Sequence, residues 1–222
     1  MSGVLEITAK IVGITVESFY KNPVLYKDAN CDEMVKKIFE AFSSYGLRPA
    51  QISLRRGDLA YDYDVSFVLF GGNGTFKATP EKVEFHLQNA ASDKDVEILS
   101  DCIAKLYEHV PLPEISSTSL VVNAQTVASS LELLQQYQVR FTNPSKGISG
   151  GGTIAYVSCD GWSQEIRVAV DKSVVYSDGL FMSWSTSFSG NKLAREVLKN
   201  FKDACQSAAL RLDLQFPETE TK

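Results

Sequence analysis

Two aspartates, Asp62 and Asp64, sit at i and i+2 in "YDYDVSFVLF", and Asp58 lies just before them. If the stretch is a strand, both carboxylates share one face. Such a pair could ligate a hard cation or work as a general acid and base. His86, on the polar side of "KVEFHLQ", is the histidine that could join them. An ordinary polar strand face competes with this reading and outweighs it, because a carboxylate pair needs convergent partners. The other histidine, His109, ends a predicted helix, where an imidazolium suits the helix dipole. No G-x-S-x-G elbow occurs, and no cysteine has a histidine near it in sequence. No catalytic residue is therefore assigned.

The segment "NPSKGISGGGTIAYV" raises the question of phosphate binding. A phosphate-cradling loop follows a strand and places Lys-Ser/Thr at a helix N-terminus, so that lysine and helix dipole both meet the anion. Here Lys146 precedes Gly150, Gly151 and Gly152, and a strand-like run follows them. The electrostatic basis of the motif is absent. The loop reads as a connection, exposed and mobile.

The cysteines Cys31, Cys102, Cys159 and Cys205 are far apart, with no C-x-x-C pair and no zinc spacing. No cofactor is expected. The net charge is −5, and the longest basic clusters are the pairs Lys36-Lys37 and Arg55-Arg56. Nucleic-acid binders draw most of their affinity from phosphate neutralisation, so this balance argues against nucleic acid. No apolar stretch approaches the roughly 20 residues that a membrane helix needs, and no signal peptide is visible. The expectation is a cytoplasmic protein without a membrane partner.

These residues must be held by a scaffold, and its pattern is strands and helices in alternation of periods. Leu5, Ile7, Ala9 and Ile11 alternate with polar residues, then Ile14 and Val16 change phase beyond Gly13. "NCDEMVKKIFEAFSSYG" is a predicted helix with Asn30 as N-cap, Met34, Ile38 and Phe42 inward, and Gly46 as its stop. Strands follow over Tyr61–Leu69 and Val83–Leu87, then a helix from about Asp95 to His109. "TSLVVNA" reads as a strand, and "TVASSLELLQQYQ" as a short helix with Ala128, Leu131, Leu134 and Tyr137 inward. "TIAYVSC", "QEIRVAV", "SVVYS" and "LFMSWSTSF" read as four short strands, and "NKLAREVLKNFKDACQSAALRL" as a long amphipathic helix.

Runs of strands, each closed by a helix, predict an α+β fold: mainly antiparallel sheet with amphipathic helices packed on one face. Residues 1–222 form a single domain in this reading. An alternative is two subdomains, about 1–142 and 153–222, joined by the glycine-rich loop 143–152 and built as two similar strand-strand-helix halves.

Aromatic residues supply the remaining lead. Met182, Trp184 and Phe188 share one face of a strand, and Tyr61 and Tyr63 share a face of another. Most such residues are core. Left uncovered by a helix, they would bind a ligand or partner. Three functional classes follow. The favoured one is a non-enzymatic interaction or assembly module, self-associating or bound to a protein through sheet edges or an open sheet face. The second is a carrier of a small apolar ligand between sheet and C-terminal helix. The third is an enzyme built around Asp62, Asp64 and His86.

Overall fold

The computed structural model describes residues 4–24, 28–57, 63–90, 92–141, 151–190 and 195–217. Its strands are β1 (Leu5–Tyr20), β2 (Ile52–Arg56), β3 (Tyr63–Leu69), β4 (Gly74–Ala78), β5 (Lys82–Gln88), β6 (Ile115–Ala128), β7 (Thr153–Val157), β8 (Ile166–Lys172), β9 (Leu180–Ser189) and β10 (Leu214–Gln215). Its helices are α1 (Asp28–Phe42), α2 (Asp93–His109), α3 (Leu131–Val139) and α4 (Arg195–Leu210). The strands make one mainly antiparallel sheet in the order β2-β3-β4-β5-β1-β6-β9-β8-β7, with β10 added to β1 in parallel. The fold is α+β, as the periodicities require.

The alternation of side chains decides which face is buried. On β3, Tyr63, Val65, Phe67 and Leu69 are buried; on β9, Leu180, Met182, Trp184, Thr186 and Phe188 are. β1 is one continuous strand that changes its buried face part-way. Leu5 and Ile7 are buried at its start, Ile14, Val16, Ser18 and Tyr20 at its end. A strand with strict period two would need two different cores to do this. The molecule has two: residues 14–120 with 187–198 form one compact unit, and residues 1–13, 121–186 and 199–222 the other.

The unit around residues 14–120 is held by aromatic packing. Phe42 at the end of α1 lies 5.1 Å, centroid to centroid, from Phe67 of β3, which stacks on Phe76 of β4 at 4.6 Å. Such pairs add about 0.5–1.5 kcal/mol each beyond the area they bury. A buried hydroxyl cluster ties α2 to the strands. Tyr107 hydrogen-bonds the Ser18 hydroxyl, which lies 3.2 Å from Thr118 Oγ1, and Thr118 donates to the Gly190 carbonyl. Each hydroxyl thus finds a partner away from water, as buried polar groups must.

In the other unit, Cys159 Sγ donates to the Ala204 carbonyl of α4, and Trp162 lies 5.3 Å from Phe201 of the same helix. Thr126 is buried on β6 and its hydroxyl donates to the Leu180 carbonyl of β9. Gly179, just before β9, has no room for a side chain: a Cβ there would run into the Thr126 carbonyl.

Some local readings need correction. Asn30 lies inside α1, which begins at Asp28, so it is not the N-cap. Gly46 does end that helix region, with φ +82° and its N–H on the Ser43 carbonyl. Residues Thr126–Ala128 extend β6 instead of opening a helix, because Ser130 caps α3 by accepting from the Leu133 N–H. Leu131 then falls at the first helical position and is exposed, while Leu134 and Tyr137 are buried as the pattern demands. "SVVYS" is no strand: the Ser173 hydroxyl accepts from the Val175 and Tyr176 amides, and Val174 is 93% exposed. That serine turn satisfies the backbone locally and removes it from the ladder.

Candidate functional site

The carboxylate hypothesis meets a structural use of the same residue. Asp64 projects from β3 with its side chain 14% exposed, 3.4 Å from Arg55 Nε on β2 and 3.9 Å from Lys77 Nζ on β4. Two cations from the flanking strands already neutralise it. His86 is engaged elsewhere, its Nδ1 2.8 Å from the Thr15 hydroxyl of β1. The register keeps the two apart. Thr75 of β4 pairs with both His86 and Val68, so His86 is level with Val68 and two strands from β3. Asp64 lies four residues further along β3, which makes the backbone separation roughly 16 Å from strand spacing and rise. An acid/base pair must nearly touch the reacting group, so Asp64 and His86 do not form one. Asp62, Asp58 and Tyr61 lie outside the described residues. Among the described residues, no three His, Cys, Asp or Glu side chains gather to hold a metal ion.

Other titratable groups are similarly committed. Lys82 of β5 hydrogen-bonds Glu17 and Glu84, and lies 5.7 Å over the Phe19 ring. Burial alone would lower its pKa; the two carboxylates outweigh that and hold it above the usual lysine value. Burial pushes the Cys102 thiol up to about 12, and Asp101 adds to the rise against a smaller pull from Lys105. Burial does the same to Cys205, well above a normal thiol. Both are small buried hydrophobes that stay protonated, the inert kind of cysteine.

The aromatic candidates are core. Met182 is fully buried, Trp184 is 2% exposed, and Phe188 and Tyr63 are buried as well. Across β8 and β9, Val168 faces Trp184 and Val170 faces Met182, all on the buried side, and Phe216 packs 6.0 Å from the Trp184 ring. The apolar face proposed for a ligand points into the interior at Met182, Trp184 and Phe188. The Trp184 indole N–H is buried without a hydrogen-bond partner among the described residues.

Exposed apolar residues are scattered over the molecule, and two of them, Ile154 and Tyr156, lie on the last strand of the order. Counting outward from β1 come β5, β4, β3 and β2; counting outward from β6 come β9, β8 and β7. Each series follows the same chain path: an inner strand, a helix, strands laid from outside inward, then a long helix. β7 thus corresponds to β3. What β3 has and β7 lacks, among the described residues, is an outer neighbour corresponding to β2. Among the described residues nothing pairs with the outer edge of β7, which presents Ile154 and Tyr156, 57% and 67% exposed. The glycines before it serve close approach. A Cβ on Gly152 would overlap the Val170 carbonyl, and one on Gly151 would come 2.8 Å from the Phe141 carbonyl. Residues 142–150, which hold most of the loop expected to be mobile, lie outside the described residues.

Sequence reasoning misses Ile154 and Tyr156. In "TIAYV" both strand faces are apolar, so alternation cannot say which face is open. The strand order, which makes β7 terminal, is a long-range property.

No protein-family model matches the chain, and no characterised protein sequence matches it. Among solved structures it is similar to a rolling circle replication initiator protein from Geobacillus stearothermophilus, with 12% identity over 89% of this chain and 80% of that one, at a TM-score of 0.34. It is also similar to Methanococcus jannaschii TBP, with 14% identity over 89% of this chain and 97% of that one, at a TM-score of 0.31. Neither likeness is close enough to carry an argument about this chain. None of the described helices is long and apolar enough to cross a membrane.

Proposed function

We propose that the protein is a non-enzymatic interaction or assembly module that adds a strand from a protein partner to the open edge of β7. The observation that carries this is the exposure of Ile154 and Tyr156 on β7, the last strand of the order among the described residues. An uncovered, uncharged, partly apolar edge offers a row of backbone donors and acceptors together with side-chain contacts, which is how strand addition works. The committed state of Asp64, His86 and the buried thiols supports the same choice over an enzyme. The burial of Met182, Trp184 and Phe188 supports it over a carrier that would offer these side chains on an open face.

The test is crosslinking in the expression host followed by sizing, with wild type beside Tyr156→Lys. Lysine on the exposed edge face keeps the fold but opposes strand docking. Disappearance of crosslinked species on substitution supports the reading. Identical profiles, for self-association and heterologous association alike, sink it.

A further inference from the structure

We draw no further inference here: the strongest candidate, the cleft where Arg55 of β2, Asp64 of β3 and Lys77 of β4 meet beside Pro23 and Pro80, carries nothing, because the two cations already neutralise the Asp64 carboxylate and nothing in the structure shows what would occupy it.

Discussion

β2 and β7 end the strand order on opposite sides and are built for opposite purposes. β2 carries Arg55 and Arg56 outward, and Arg55 is tied back to Asp64 on the next strand. It also begins directly from a short 3₁₀ turn opened by Pro49. Charge and an abrupt start are the usual means by which an edge strand refuses a neighbour. β7 has neither. Its five residues are uncharged, and two large apolar side chains remain exposed on it. The difference teaches that an edge is specified by its side chains as much as by its unpaired backbone.

The comparison breaks most violently if the support beneath either edge is removed. Phe67→Ala below β2 should cost about 3–5 kcal/mol, because a fully buried ring stacked on Phe76 is lost. Trp184→Ala should cost a similar amount on the β7 side, read as a fall in the denaturant midpoint. Trp184→Phe, by contrast, should cost less than about 1.5 kcal/mol, since the indole N–H has no hydrogen-bond partner among the described residues. A large loss there would reveal a partner for that N–H. Next in size is Gly152→Ala at the entry to β7. Its Cβ would overlap the Val170 carbonyl, so a cost of about 1–3 kcal/mol is expected, with faster amide exchange along β7 and β8.

The thiols sharpen the contrast between the interiors. Above its ordinary value of 9.0 the Cys102 thiol ionises in the unfolded chain, but in the folded one it stays protonated to about 12. The unfolded state therefore binds fewer protons, and stability falls as pH rises through that window. Cys102→Ala should flatten this fall in alkaline denaturation curves. Native Cys102 and Cys205 should both resist alkylation at pH 8, and rapid labelling of either would contradict their burial. The smallest effect on stability is the most informative for the edges. Arg55→Val with Arg56→Tyr should change stability by under about 1 kcal/mol, since exposed ion pairs contribute little. It should nevertheless give β2 a new tendency to self-associate, measured by light scattering. A strictly unchanged mass would mean that charge is not what closes that edge.

The long periodic elements are readable in the sequence, and the short ones are hidden. α2 and α4 show full amphipathic stripes, and β3, β5 and β9 alternate cleanly, so their inward residues can be named from the pattern. The phase change around Gly13 is visible too, although Ile11 is already exposed before it. β2 escapes because "ISLRR" has two apolar residues and two adjacent arginines, a pattern of no clear period. β4 escapes because "GTFKA" begins on a glycine that reads as part of a turn. Of the candidate site, Trp184 and Met182 fall on one face by alternation, but sequence cannot say what covers it. The exposure of Ile154 and Tyr156 depends on where β7 falls in a ten-stranded order, which no local window contains.

Leu5 pairs with Leu214, and the unit that contains them gathers residues 1–13, 121–186 and 199–222. The other draws almost wholly on the continuous stretch 14–120. During synthesis the chain emerges from its N-terminus, so the continuous unit has most of its residues in hand roughly a hundred residues before the other can close. β7 is made in that interval, and the neighbour it pairs with, β8, begins only at Ile166. A nascent chain therefore carries an unfinished, uncharged strand until β8 follows it, a window in which that strand is exposed to mispairing.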